Sequence, residues 1–168
     1  TGKRVNSSLD DPVAFFTARS HEQRASDLAS RKDEMAESIQ LLKASDHGIE
    51  AITNLIASAK SLATSALSGD TTADISTLET QHFDILSQMD DMAADSGYKG
   101  TNLLESTDVT HVVKFDETGD SSLTITGFEA MATGDTLALV ESTTTNQWSN
   151  AGGVANSTRI NAAITAMD

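Results

Sequence analysis

The stretch LASRKDEMAESIQLLKASDHGIEAITNLIASAKSLATSA, residues 28–66, decides the fold. Its apolar positions Leu28, Met35, Ile39, Leu42, Ile49, Ile52, Ile56, Ala59, Ala63 and Ala66 recur at steps of 7, 4, 3, 7, 3, 4, 3, 4 and 3. That is heptad spacing, which lays one stripe along one side of an α-helix. Upstream, Asp10, Asp11 and Pro12 supply a capping carboxylate and a proline whose missing N–H is harmless in a first turn, so the helix is predicted to begin at Asp11 or Pro12. Gly48 costs roughly 1 kcal/mol relative to alanine and is a candidate break, but Leu42 and Ile49 keep register across it. One helix is therefore predicted from about Asp11 to Leu67, roughly 85 Å long at ~1.5 Å per residue.

Ser68-Gly69-Asp70-Thr71-Thr72 reads as a stop and turn, and a second helix is predicted from about Thr72 to Asp95. Its seam is Ile75, Leu78, His82, Ile85, Met89 and Met92, widened by Phe83 and Leu86. Two antiparallel helices should share a seam in which Leu42, Ile49, Ile52, Ile56, His82 and Met89 are the core. After Ser96-Gly97-Tyr98-Lys99-Gly100 and the apolar anchor Leu103-Leu104, the period changes from helical to alternating. Val109, His111, Val113 and Phe115, then Leu123 and Ile125 across Glu117-Thr118-Gly119-Asp120, predict a β-hairpin. Thr136 to Val140 is a further strand pattern, and Ile160, Ala163, Ile164 and Met167 resume a helical stripe. The fold class is mainly α with a small β-hairpin region, an elongated antiparallel helical rod. Its segments are 1–106 (two long helices), 107–148 (hairpin region) and 149–168 (a helix returning to the rod).

Composition agrees with thin seams rather than a thick core: of 168 residues, 22 are Ala, 20 Ser and 21 Thr, and only 4% are aromatic. There is no cysteine, so disulfides, thiolate nucleophiles and Cys-based zinc sites are excluded. The 11 Lys+Arg face 25 Asp+Glu, a net charge of -14. Residues 1–60 hold 8 basic and 9 acidic side chains, leaving 3 and 16 for the remainder. Such an acidic chain is a poor partner for nucleic acid or an anionic membrane surface. No stretch approaches the roughly 18 apolar residues of a membrane span.

Catalytic chemistry has no candidate constellation. His21-Glu22 lacks the second histidine of a zincin helix, and His21, His47, His82 and His111 are widely spaced. Asp90, Asp91 and Asp95 read as a solvated acidic helix end. Asp116, Glu117 and Asp120 lack the spacing of a calcium loop. Neither a phosphate-binding loop nor a nucleophile elbow occurs, so no enzyme activity and no cofactor are expected.

The residues themselves resemble bacterial flagellin. Thr1-Gly2-Lys3-Arg4-Val5-Asn6-Ser7 with Asp10-Asp11 is similar to the S-G-x-R-I-N-S-A-x-D-D segment that opens the family's inner region. Ala44-Ser45-Asp46-His47-Gly48-Ile49 resembles its N-D-G-I segment, and Tyr98-Lys99-Gly100-Thr101-Asn102-Leu103-Leu104 its F-x-G-x-x-L-L close. The likeness covers residues 1 to 104, with 154 to 168 similar to the start of the returning C-terminal helix.

The resemblance implies a secreted, extracellular subunit of the bacterial flagellum. Its partners are other flagellin subunits, an export chaperone, the filament cap and, weakly, the host flagellin receptor. It places Arg4, Asn6, Asp10 and Asp11 at the filament interface. It also maps the receptor patch onto Ser58, where the family has arginine, Leu62, and Gln81, near the family's glutamate. The family's terminal polymerising helices are absent at both ends, so this stretch alone is expected to stay monomeric. The alternatives are a flagellin-like hook–filament junction protein and a surface-binding module using Tyr98 and Trp148.

Overall fold

The computed structural model describes residues 7, 9–68, 71–132, 148 and 157–167. They form α1 (Pro12–Ala66), α2 (Thr72–Asp95), β1 (Thr110–Lys114), β2 (Ser122–Thr126) and α3 (Ser157–Ala166). Among the described residues the molecule is mainly helical, with one two-stranded sheet. The strand pattern at Thr136 to Val140 lies outside the described residues. Two compact units result, one of residues 1–40 with 111–125, the other of residues 41–110 with 126–168.

In the first unit, Asp11 opens α1. Its carboxylate accepts from the Ala14 N–H at 3.1 Å and its carbonyl from Phe15 N–H at 2.9 Å, satisfying donors that a first turn leaves unpaired. The β1–β2 hairpin closes through Phe115 N–H donating to the Ser121 carbonyl at 2.9 Å. An isolated two-stranded hairpin is marginal in water, and this one lies on α1. Near its base, His111 Nε2 meets Ser38 Oγ at 2.9 Å; towards its tip, Arg24 Nε pairs with Glu117 at 2.7 Å. The 14 residues from Arg24 to Ser38 span about 21 Å of helix, and the chain from His111 in β1 to Glu117 in the loop bridges the two contacts. Ser38 Oγ already donates to the Glu34 carbonyl at 2.8 Å, and one hydroxyl carries one proton. His111 Nε2 must therefore be the donor to Ser38.

The hairpin loop is organised by Asp116. Thr118 Oγ1 donates to its carboxylate at 2.6 Å, and the N–H groups of Ser121, Gly119 and Asp120 add to it. The Thr118 hydroxyl first, then those amides, hold the Asp116 carboxyl below its ordinary value of 3.8. Its contribution to the loop is thus present above 3.8 and is lost as acid takes the pH down through the folded value.

In the second unit the buried face of α1 is Leu41, Ser45, Gly48, Ile52, Ala59, Ala63 and Ala66, and that of α2 is Ile75, Glu79, His82, Leu86, Met89 and Ala93, continued by the capping Ser96. Leu55 and Ile56 are half-buried beside the first, Leu78 and Ile85 beside the second. This corrects the seam read from the sequence. Leu42 and Ile49, 42% and 40% exposed, lie one residue round the helix from the buried line, as does Met92 on α2. In the first unit, Leu28 and Ile39 of the same heptad stripe are also exposed.

The reason is closeness. A Cβ on Gly48 would stand 2.7 Å from Ser96 Cβ and 2.8 Å from Leu104 Cδ1, so the smallest residues, rather than the bulkiest, occupy the contact. Gly48 opposite Ser96, and the Ala59 carbonyl 3.2 Å from His82 Nδ1, show the helices antiparallel.

Asn102 ends α2. Its side-chain amide donates to the carbonyls of Ala93 and Ala94 at 2.7 and 2.9 Å, while its oxygen accepts from Leu104 N–H at 2.9 Å. A buried side chain so supplies what a helix C-terminus lacks. The turn at Lys99, with φ of +49°, brings Asn102 back to that end. Leu103 and Leu104 then enter the core, and residues 127–132 run beside them through Phe128 N–H to Leu103 and Ala130 N–H to Leu104 at 2.8 and 2.9 Å. Gly127 is required there, since a Cβ would come within 2.7 Å of the Leu103 and Ser106 carbonyl oxygens. Trp148, and Ile160 and Ala163 of α3, complete the core.

Two substitutions test this register. Leu41→Asp should lower stability by several kcal/mol, because it buries an unpaired charge, whereas Leu42→Asp should cost well under ~1 kcal/mol. Thermal unfolding followed by circular dichroism separates them; equal losses would place the seam back on Leu42. Asn102→Ala should cost about 2–3 kcal/mol in urea unfolding, since it takes a partner from the Ala94 carbonyl and the Leu104 N–H and leaves the Ala93 carbonyl only the long bond from Ser96 N–H.

Candidate interaction surface

The exposed side of the α1–α2 pair in the second unit forms an open groove. Its upper part is lined by Asn54, Ala57, Ser58, Ser61 and Leu62 of α1 and Gln81, Asp84, Ile85 and Gln88 of α2. The adjoining part adds Ala51, Leu55, Asp91, Met92 and Asp95. The phase of α2 that builds this wall is set at Thr71, whose Oγ1 accepts from Asp74 N–H at 3.1 Å and donates to the Asp74 carboxylate at 2.7 Å. That reciprocal cap fixes where the first turn begins.

The groove is poor in hydrogen-bond donors. Ser58 Oγ donates to the Asn54 carbonyl at 3.0 Å, so its proton is turned back onto its own helix and only its lone pairs face outward. Away from the groove, Thr53, Thr64 and Ser65 on α1, and Thr77 and Thr80 on α2, do the same to the carbonyls four residues earlier. With Asp84, Asp91 and Asp95 among its lining, the groove offers acceptors and negative charge, relieved by the amides of Asn54, Gln81 and Gln88. A partner bringing donors and positive charge fits this chemistry.

The structure brings Ser58, Leu62 and Gln81 to one groove, from two helices. Arg4 and Asn6 lie outside the described residues. Asp10 sits in the turn before α1, its N–H donating to the Ser7 carbonyl at 3.3 Å, and Asp11 is engaged as the helix cap. Of the core residues, Ile52, His82 and Met89 are buried, Ile56 is half-buried, and Leu42 and Ile49 are exposed as described above.

The acidic residues weighed as cation ligands have protein partners or face the groove. Asp90 accepts from the Ala132 N–H at 2.6 Å, Asp91 and Asp95 line the groove, and Asp116 and Asp120 share the Thr118 hydroxyl. Trp148 is 5% exposed and packed on His82 at 4.8 Å between ring centroids, which removes it from any sugar-stacking surface. The Tyr98 ring lies under Lys99 Nζ at 5.7 Å. Sequence reasoning missed Asn102 and Glu79 as buried polar residues. For Asn102 the signal was a short amide side chain one turn past a helix stop; for Glu79 it was the position three before His82 on the seam.

A comparison with curated proteins finds none that matches the chain. The family model described as the bacterial flagellin N-terminal helical region matches residues 1–108, which include α1, α2 and the Asn102 closure. That family is a structural one, and its match covers most of the chain, so the protein belongs to the bacterial flagellins.

Proposed function

We propose that this flagellin polymerises with copies of itself into the extracellular filament that bacteria rotate to swim, after export by a dedicated chaperone and assembly beneath a filament cap. The match over residues 1–108 carries this reading. The absence of cysteine suits it, since a chain exported unfolded has no thiols to mispair. In this reading Arg4, Asn6, Asp10 and Asp11 stand where subunits meet, and Asp11 serves its helix as well. Among the described residues, no helix is long and apolar enough to cross a membrane.

The groove holding Ser58, Leu62 and Gln81 is the counterpart of the patch read by the vertebrate flagellin receptor. Serine in place of arginine withdraws a planar five-donor group, a change that at an interface hot spot costs about 2 kcal/mol or more, roughly thirtyfold in affinity. Receptor activation by this protein is weak for that reason.

Filaments sheared from the source cells should yield peptides of this chain as a main component by mass spectrometry, and deleting its gene should abolish swimming. Sheared filaments without it would reject the assembly reading. Arg4→Ala should shorten filaments while leaving the thermal midpoint of the free subunit unchanged. Ser58→Arg with Gln81→Glu should raise signalling in a receptor reporter cell line; no rise would reject the receptor assignment alone.

A further inference from the structure

His82 is a buried ionisable group with no part in assembly as described above. It is 3% exposed, its Nδ1 lies 3.2 Å from the Ala59 carbonyl of α1, and its ring packs at 4.8 Å and 47° against Trp148. A carbonyl can only accept, so Nδ1 carries the hydrogen and the neutral ring keeps its lone pair on Nε2. A second proton can go only to Nε2. Trp148 belongs to the apolar cluster of Ile75, Leu86, Met89 and Ile160, so the resulting charge would enter the part of the unit least able to solvate it.

We propose that His82 is an acid-released latch: the neutral ring holds Trp148 against the α1–α2 seam, and taking up a second proton frees Trp148 from it. The ionisable residues that the sequence sets beside this part of the core are Glu79 on α2, Lys60 next to Ala59 on α1, and Arg159 next to Ile160 on α3. Of these, Glu79 acts on the ring, and its charge favours the cation. Burial outweighs both Glu79 and the Ala59 carbonyl and pushes the imidazole below its ordinary 6.5. Below 6.5 the unfolded chain therefore binds more protons than the folded one; the latch is fully held above that value and weakens as the pH falls beneath it towards the folded value.

Trp148 is the chain's one tryptophan, so its emission reports the latch directly. The 168-residue chain is titrated from about pH 8 to about pH 5, with emission and helix content recorded together. The wild-type emission should shift to the red along a one-proton curve with its midpoint below 6.5, while helix content is retained. His82→Gln keeps a donor for the Ala59 carbonyl and cannot titrate, so its emission should stay flat. A flat wild-type curve, or the same transition in His82→Gln, overturns the proposal. Should His82→Gln lose its helix content at the starting pH, proton NMR of the wild type decides instead. A common midpoint for the His82 ring and the Trp148 indole N–H supports the latch, and separate midpoints overturn it.

Discussion

Gly48 lacks a side chain where Ser96 and Leu104 fill the space that one would occupy, and much of the second unit is arranged around that closeness. Helices lined by Ala59, Ala63 and Ala66 bury little apolar area per residue, at about 25 cal/mol for each Å². They gain by near approach, through dispersion contacts that fall off steeply with any gap. Near approach in turn demands that the end of α2 be sealed without bulk. Asn102 does this with one amide, and its backbone continuation then delivers Leu104 to the same point at Gly48. Helix seam, helix end and core entry thus meet within a few residues.

The helices, their limits and the hairpin were legible because each is written in a period: 3.5 for α1 and α2, two for β1 and β2, with Asp11-Pro12 and Thr71 as punctuation. The register of the seam was not legible to within one residue. Ranking positions by apolar bulk favours Leu42 and Ile49, whereas the buried line passes through Leu41, Ser45 and Gly48. A seam built on closeness conceals itself from a hydrophobicity count, since its defining residues are the least hydrophobic on it. The groove residues Ser58, Leu62 and Gln81 came as one patch from family resemblance; the groove that α1 and α2 form around them had no signal in the sequence. Glu79 was missed because an acidic residue is read as solvated, although its place three before His82 puts it on the seam.

The abundance of serine and threonine has a definite role in these helices. Such hydroxyls compete with backbone hydrogen bonding in an unfolded chain and so disfavour helix. Inside α1 and α2 they instead add a second donor to carbonyls already bonded along the helix, as Ser45 does to Leu41 and Thr77 to Ala73. On the groove, Ser58 in this way keeps an acceptor outward and loses a donor. Together with the acidic residues of α2 this gives the groove a character that alanine at the same positions would not provide.

The two ties between α1 and the hairpin are of unlike kind. Arg24 and Ser38 are nearly four helical turns apart and so share a helix face, while His111 stands in β1 and Glu117 in the loop beyond it. One tie seats the strand on its helix; the other moors the loop, whose shape Asp116 holds from within. A residue inserted between His111 and Glu117 would lengthen the hairpin's side of this span and leave the helix's side as it was, so the hairpin could keep its seat or its mooring but not both.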